Sequence, residues 1–201
     1  MIALIDYGAG NLASVRKGLA AVGASVVVVR EPGLLASANA MVIPGVGHFE
    51  ATATLDGAWR RAIAARLDAG AALLGICLGM HWLFDGSDEA PDLAGAGLFT
   101  GLCTRLAGPI KVPHVGWNSL ALTDRSSQMF DGIAPDTSVY FTHAFAAPIT
   151  PETAATTTHG VTFAAAVERG RVWGAQFHPE KSGTAGLRVL SNFAAMAAGA
   201  R

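Results

Sequence analysis

The sequence of 201 residues predicts an α/β fold in which a mostly parallel central sheet is covered by helices on both faces. Through the first half of the chain, short aliphatic runs alternate with helical stretches. Those runs are almost continuously hydrophobic, as in strands that are buried on both faces. The second half has strand-like segments joined by hairpin-style turns, which predict an antiparallel extension of the same sheet.

The elements of the first half follow from hydrophobic periodicity and from cap and turn signals. The first helix repeats apolar residues every three or four positions, and Asn11 is suited to cap its N-terminus. In chain order we predict a strand at 2–5, a helix at 11–22, strands at 25–29 and 40–43, a turn at 44–47, a helix at 55–67, a strand at 72–76 and a helix at 78–84.

The second half is organised around turns, of which the Glu-Arg-Gly-Arg sequence at 168–171 is the clearest. No linker rich in Pro, Gly or Ser separates the two halves, so we expect one domain over residues 1–201. We predict strands at 98–106, 118–123, 138–141, 161–167 and 172–177, a surface loop at 85–97 and a closing helix at 185–198.

Composition excludes several classes of protein. Hydrophobic residues make up 51% and charged residues 14%, which excludes disorder. The net charge of -1 gives no electrostatic reason to bind nucleic acid or an anionic membrane. No run reaches the roughly 18 apolar residues of a membrane span, and the N-terminus does not resemble a signal peptide. The two cysteines, Cys77 and Cys103, lie in unlike contexts, so we expect a reducing, cytoplasmic location.

Residues 75–79, Gly-Ile-Cys-Leu-Gly, have the form of a nucleophile elbow with cysteine as the central residue. A lone cysteine is more often buried and inert, which is the interpretation given to Cys103. At Cys77, however, the preceding strand and the flanking glycines favour a nucleophile. The N-terminus of the following helix also favours the thiolate, the reactive form.

A thiolate nucleophile needs a proton carrier, and His178 is the best placed of the six histidines. It follows a strong strand, so we expect it at a strand end. Residues two apart in extended chain face the same side, which brings Glu180 beside it. That carboxylate can fix the imidazole tautomer as the third member of a triad. A capping or turn role is commoner for an isolated His-Pro-Glu, but the elbow upstream favours catalysis.

Together these motifs resemble the class I, or triad, glutamine amidotransferases, whose fold is flavodoxin-like. Among them the chain is similar to the glutaminase subunits that serve imidazole glycerol phosphate synthase in histidine biosynthesis. Sister families share the elbow and the His-Pro-Glu, whereas the matching segments at 6–12 and 111–118 are particular to this subunit. The matching segments, in the family's order, are residues 6–12, 44–47, 75–80, 111–118 and 176–182.

The resemblance implies hydrolysis of L-glutamine to glutamate and ammonia through a thioester on Cys77, with neither a cofactor nor a metal. Backbone amides would stabilise the oxyanion. Glycines in the 44–47 turn permit a peptide flip, so this oxyanion hole can depend on a signal from the partner. The oxyanion residues implied are Val46, Gly47 and Leu78. The substrate-binding residues implied are Gly45, Gly47, His81, His143, Ala144 and Phe145.

The resemblance also implies a partner, because 201 residues leave no room for a domain that accepts ammonia. The partner would be a (β/α)₈-barrel cyclase subunit that forms imidazole glycerol phosphate and an aminoimidazole ribotide. Trp117 is open to a second interpretation, as a half-buried sheet residue. The residues implied to face the partner are Asn11, Trp117, Asn118 and Lys181.

Two positions depart from the family's pattern. His81 stands where relatives usually have glutamine, and Ala144-Phe145 stands where they usually have a hydroxyl-bearing pair. These departures put the substrate contacts there in question. Three alternatives stay open: a glutaminase subunit of another pathway, a non-catalytic regulatory subunit of the same fold, and a stand-alone cysteine hydrolase. A metal held by His81, Cys77 and His178 is not supported by their spacing.

Overall fold

The structure, a computed structural model, describes residues 1–123 and 126–199, and its first half alternates strands and helices as predicted. Asn11 caps the first helix, because its Oδ1 accepts a hydrogen bond from the Ser14 N–H at 3.2 Å. The second helix begins at Gly57 rather than 55 because the Asp56 side chain caps it there. The elements are β1 (Ile2–Ile5), α1 (Leu12–Ala21), β2 (Val26–Val29), β3 (Ala40–Ile43), α2 (Gly57–Asp68), β4 (Ala72–Ile76) and α3 (Leu78–Leu83).

The second half is richer in strands than predicted. Short 3₁₀ turns lie at Pro32–Ser37 and Phe49–Thr54 in the first half and at Pro179–Lys181 here. The other elements are β5 (Gly86–Ser87), β6 (Leu102–Arg105), β7 (His114–Ser119), β8 (Ala121–Leu122), β9 (Ser138–His143), β10 (Phe145–Ala146), β11 (Thr153–His159), β12 (Val161–Arg169), β13 (Val172–Ala175) and α4 (Gly183–Ala197).

Several predicted boundaries were wrong for identifiable reasons. The strand predicted at 98–106 is limited to β6, because Phe99 and its neighbours turn back to hydrogen bond with the end of α3. The strand predicted at 118–123 is two strands, β7 and β8, which separate at the buried Leu120. The predicted surface loop at 85–97 contains the buried strand β5, where the Ser87 hydroxyl donates to the Cys103 carbonyl. Sequence reasoning missed β11, whose alanines and threonines do not alternate between apolar and polar.

The main sheet has eight strands in the order β2-β1-β3-β4-β13-β12-β11-β8. Its first five strands are parallel, and β12, β11 and β8 then continue it in antiparallel fashion. The predicted mixed sheet is therefore confirmed. Strand β4 lies between β3 and β13, so the carboxyl ends of these three strands meet at one edge. Two smaller sheets are β10-β6-β5 and the β7-β9 ribbon, and β9 lies at that edge, where the Tyr140 carbonyl accepts from the His178 N–H at 2.9 Å.

Apolar layers cover both faces of the parallel strands. Ile2 and Leu4 of β1 pack into the layer formed with α1 and α4, whereas Ala3 and Ile5 face the layer formed with α2 and α3. This alternation explains why the strands read as continuous hydrophobic runs. No helix among residues 1–123 and 126–199 combines the length and the hydrophobicity that crossing a membrane requires.

The β7-β9 ribbon carries a cluster of histidines between the two strands. His114 is paired with His143 across the ribbon, and the His114 Nδ1 lies 3.0 Å from the His143 Nε2. His143 Nδ1 is 2.8 Å from the Phe145 carbonyl oxygen and donates to it, so its Nε2 accepts from His114. The His159 ring stacks on His114 with the centroids 4.2 Å apart. Burial, opposed by the Phe145 hydrogen bond, lowers the pKa of His143 from 6.5 to about 3.

The helix α3 begins in direct contact with the end of β3. A Cβ added at Gly79 would clash with the backbone carbonyl of Ile43, and one added at Gly75 would lie 2.6 Å from the Gly79 carbonyl oxygen. Both glycines of the elbow are therefore required by close backbone approach rather than by turn conformation alone. The contact fixes where α3 starts relative to the sheet.

We expect Gly79→Ala to lower the free energy of unfolding by at least about 1–3 kcal/mol, the usual cost of overpacking a buried site. Chemical denaturation of the purified chain measures this. Gly33→Ala is the matched control, because nothing lies within 4 Å of a Cβ added there. A loss at Gly79 no larger than that at Gly33 would contradict the close contact.

We expect acid to destabilise the fold through His143. Its folded pKa lies below its unfolded value, so its contribution to stability is complete above about pH 6.5 and is lost as the pH falls towards about 3. His143→Asn keeps a donor for the Phe145 carbonyl but cannot titrate. Between about pH 7.5 and about pH 4.5 it should therefore lose on the order of 2 kcal/mol less unfolding free energy than the unaltered chain. The exposed His48→Asn is the control, and an equal difference in both variants would refute the assignment.

Candidate active site

Cys77 occupies a strained turn between β4 and α3, at the carboxyl edge of the sheet. Its φ of 51° and ψ of -108° are unusual for a residue with a side chain, and such strain is typical of functional sites. The backbone N–H of Cys77 donates to the Ala175 carbonyl at 2.7 Å, which ties the turn to the end of β13. The side chain is 5% exposed and lines a pocket. The predicted elbow geometry is thus present.

His178 and Glu180 lie just beyond the end of β13, the strand that pairs with β4. The His178 Nδ1 is 2.8 Å from the Glu180 Oε1, and both side chains are 1% exposed. Burial lowers the pKa of His178, but Cys77 and Glu180 raise it more, to about 9 from 6.5. The imidazole is therefore protonated at neutral pH. Its Nε2 makes no hydrogen bond of good geometry among the described residues, although Cys77 is close enough to act on its pKa.

Two further polar groups contact the sulfur of Cys77. The Gln176 side-chain amide nitrogen lies 3.7 Å from the Sγ, and the Thr142 carbonyl oxygen lies 3.9 Å from it. The other end of the Gln176 amide, Oε1, is 2.6 Å from the Nε2 of His81. Sequence reasoning placed Gln176 in a matching motif but missed its side chain as a site residue. Its position two residues before His178, on the same side of an extended segment, was the available signal.

A pocket of about 170 Å³ opens beside Cys77. It is smaller than the roughly 300–1,000 Å³ of pockets for drug-sized ligands, and therefore suits a small metabolite. Glu89 lies in its wall, a residue that sequence reasoning assigned to a surface loop. One of its carboxylate oxygens accepts the Phe49 N–H at 2.8 Å, which orients the side chain. The lining residues are Gly47, Cys77, Leu78, His81, Glu89, Pro113, Thr142, His143, Ala144 and Phe145.

The 44–47 turn packs directly on the elbow. A Cβ at Gly45 would lie 2.6 Å from the Leu78 Cβ and 2.6 Å from the Tyr7 hydroxyl. Leu78 is the first residue of α3, where a backbone N–H has no acceptor within the helix. Gly47 lines the pocket with a φ of 106°, whereas the Val46 side chain is 38% exposed. The structure therefore brings the predicted oxyanion segments together, with Gly47 and Leu78 at the pocket and Gly45 behind them.

The remaining predicted substrate residues also line the pocket. They are His81, His143, Ala144 and Phe145, and their contact with glutamine stays a prediction. Burial lowers the pKa of His81 to about 4, so this side chain is neutral at physiological pH. The backbone N–H of Leu106 donates to the Ala144 carbonyl at 2.9 Å, which holds this part of the pocket against β6.

Cys103 lies away from the pocket and is 0% exposed. Burial, with a smaller contribution from the Asp88 carboxylate, raises the pKa of its thiol. The protonated form is thereby favoured, which agrees with the inert role expected from the sequence. Within residues 1–123 and 126–199, histidine, cysteine and carboxylate side chains do not form a group of three suited to hold a metal ion.

The four residues expected to face a partner differ in their surroundings. Trp117 is 58% exposed and packs edge-on against Tyr140, and the ammonium of Lys181 lies 5.9 Å from the centre of the same Tyr140 ring. Asn118 donates to the Thr158 carbonyl at 2.9 Å, and Asn11 caps α1. Both asparagine side chains therefore make hydrogen bonds within the chain, and the Trp117 side chain is more exposed than that of a half-buried sheet residue.

The chain matches the family model described as "Glutamine amidotransferase class-I" over residues 3–197. It is 43% identical to the imidazole glycerol phosphate synthase subunit HisH of Methanothermobacter thermautotrophicus, over 96% of this chain and 97% of that one. It is 44% identical to the protein of the same name from Halobacterium salinarum, over 96% and 91% of the two chains.

Solved structures support the same fold. A crystal structure of a glutamine amidotransferase superposes with a TM-score of 0.76 at 20% identity, covering 99% of this chain and all (100%) of that one. PurLQS from Thermotoga maritima gives a TM-score of 0.73 at 16% identity, with 96% of each chain covered. The chain therefore belongs to the class I glutamine amidotransferases and, within them, to the family of imidazole glycerol phosphate synthase HisH subunits.

Proposed function

We propose that this chain hydrolyses L-glutamine to glutamate and ammonia and delivers the ammonia to a cyclase subunit of imidazole glycerol phosphate synthase, in histidine biosynthesis. The observation that carries the proposal is the triad geometry. Cys77 lies at a strained elbow in the wall of a small pocket, and the buried pair of His178 and Glu180 lies at the adjacent strand end. The family supplies the substrate class.

In the first step the Cys77 thiolate attacks the side-chain amide carbon of glutamine. The carbonyl π electrons move to oxygen, and that oxyanion lies against the backbone N–H of Leu78 and the 44–47 turn. His178 is protonated at neutral pH, and its Nδ1–H is held by Glu180. Its free Nε2–H is therefore available to the departing nitrogen.

The C–N bond then breaks as His178 transfers the Nε2 proton, which releases ammonia and leaves a thioester on Cys77. Neutral His178 next takes a proton from a water molecule that attacks the thioester carbonyl. The C–S bond breaks, the thiolate and the imidazolium are restored, and the product leaves as the side-chain carboxylic acid, which loses its proton to solvent to give glutamate. Glu180 stabilises the imidazolium at both stages without itself accepting a proton.

The pocket also has a group suited to the amino-acid end of the substrate. Glu89 presents a carboxylate beside the pocket that holds the reacting amide, and one of its oxygens is fixed by the Phe49 N–H. A carboxylate so held can accept from the ammonium group of free glutamine. His143, Ala144 and Phe145 also line the pocket, and backbone groups there would hold the substrate in place of side-chain hydroxyls.

The partner expected from the family is a (β/α)₈-barrel cyclase. The exposed surface of Trp117, with Lys181 and Tyr140 beside it, is the proposed contact region. Tryptophan is frequent among the residues that dominate interface energies. The Pro179–Lys181 turn that carries Lys181 also contains Glu180, so contact with the partner would act close to the triad.

The test of the proposed activity is glutamate production from glutamine, measured with the chain alone and with the cyclase subunit and its nucleotide substrate. We expect Cys77→Ala to lower the rate by at least about 1,000-fold, because the nucleophile is lost. Cys103→Ala, which removes the other cysteine, should retain turnover. A Cys77→Ala variant as active as the unaltered chain would contradict the mechanism. Turnover of peptides instead of glutamine would favour a stand-alone hydrolase.

We expect Trp117→Ala to weaken the affinity for the cyclase subunit. The dissociation constant should rise by at least about 30-fold, the equivalent of about 2 kcal/mol at an interface hot spot. Lys181→Ala should weaken it in the same direction. Isothermal titration calorimetry measures both. Leu34, 57% exposed on another element, provides the matched control as Leu34→Ala. Equal affinity for the Trp117 and Leu34 variants would place the interface elsewhere.

A further inference from the structure

Gln176 is a fully buried amide that the proposed triad mechanism does not use. Its side chain is 0% exposed and lies between two groups of the pocket wall. The amide nitrogen is 3.7 Å from the Cys77 sulfur, and the amide oxygen is 2.6 Å from the His81 Nε2. Buried polar groups are costly unless they are hydrogen-bonded, so these two contacts decide the orientation of the amide.

The amide oxygen of Gln176 sets the direction of the hydrogen bond to His81, because it can only accept. Burial lowers the pKa of His81 to about 4, and the ring is therefore neutral at physiological pH. A neutral ring carries one N–H, and the amide oxygen of Gln176 can only accept. The His81 Nε2 must therefore donate to the Gln176 Oε1. With its oxygen held in this way, the amide can present only its NH₂ group to the sulfur.

Two groups near the Cys77 sulfur have opposite effects on its thiolate form. The Thr142 carbonyl oxygen at 3.9 Å can accept from a thiol but repels a thiolate. An N–H donor on another side of the sulfur favours the thiolate, because hydrogen bonds to a charged group are stronger than those to a neutral one. Since the side chain of Cys77 is only 5% exposed, solvent water can contribute little to the stabilisation of its thiolate.

We propose that Gln176 is a further catalytic residue that donates a hydrogen bond to the Cys77 thiolate, and that His81 is the positioning residue which aims its amide. The inference deepens the proposed function and rests on Cys77 being the nucleophile. It also gives His81 a role at the position where relatives usually have glutamine. The imidazole N–H donates to the Gln176 Oε1, and the amide N–H of a glutamine of similar reach could do the same.

Other titratable groups face the same sulfur and must be held constant in any test. His178 lies beyond the end of β13, two residues after Gln176, whereas His81 lies on α3 and contacts the Gln176 amide. The titratable groups around the sulfur are Tyr7, His81, Glu89, His143 and His178, with Glu180 behind His178.

The experiment is the rate of Cys77 alkylation by iodoacetamide as a function of pH, in a Cys103→Ala background that leaves one thiol. Only the thiolate displaces iodide, so the pH of half-maximal rate reports its stabilisation. Gln176→Met keeps the length of the side chain but removes the donor. We expect its half-maximal pH to rise by about one unit, the effect of losing one hydrogen bond to a charged group.

Variants at position 81 separate positioning from mere packing. His81→Leu should raise the half-maximal pH because the Gln176 amide is no longer held, whereas His81→Gln should restore it through its own N–H. Thermal unfolding of each variant shows that the chain is folded. An unchanged half-maximal pH in Gln176→Met and His81→Leu, or equal shifts in His81→Leu and His81→Gln, would overturn the proposal.

Failure of the proposed function gives a different pattern. Alkylation needs neither glutamine nor the partner, so the shifts are expected even from a chain that shows no glutaminase activity. A glutaminase whose alkylation profile does not respond to position 176 would retain the function and lose this inference.

Discussion

The site depends on one packing constraint, the contact of the elbow glycines with the end of β3. Gly79 lies so close to the Ile43 carbonyl that a methyl group would clash, and a Cβ added at Gly75 would lie 2.6 Å from the Gly79 carbonyl oxygen. Helix α3 starts directly after Cys77, whose backbone conformation is strained. Because β4 lies between β3 and β13, that single turn brings the cysteine against the 44–47 turn on one side and the His178 segment on the other.

Electrostatics divide the three histidines around the pocket into two kinds. His178 has a carboxylate partner and a nearby cysteine, so its pKa is raised despite burial. His81 and His143 donate to neutral acceptors, an amide oxygen and a carbonyl oxygen, and burial lowers the pKa of each. One side chain type therefore supplies a proton at one position and fixed, uncharged hydrogen bonds at two others. Cys77 and the carboxylate of Glu180, rather than depth of burial, distinguish His178 from the other two.

Much of this could be predicted from local sequence. The parallel strands read as unbroken hydrophobic runs, and Asn11 and the elbow glycines are local signals, so the first half was placed well. The antiparallel half was harder. Strand β11 has a polar, alanine-rich sequence and is held by pairing with β12 and β8, which are distant contacts without a local pattern. Glu89 and the Gln176 amide were missed for the same reason, because each acts through a partner far away in sequence.

His81 also bears on the alternative that the chain is a non-catalytic regulatory subunit of the same fold. Such a subunit would be free to lose the donor that faces the buried Gln176 amide, or to replace it with an apolar residue of similar volume. His81 instead keeps a neutral N–H at 2.6 Å from the Gln176 oxygen, in a site so buried that only a well-satisfied polar group is tolerated. A hydrogen-bond chain that ends on the candidate nucleophile is the arrangement expected of an active site still in use.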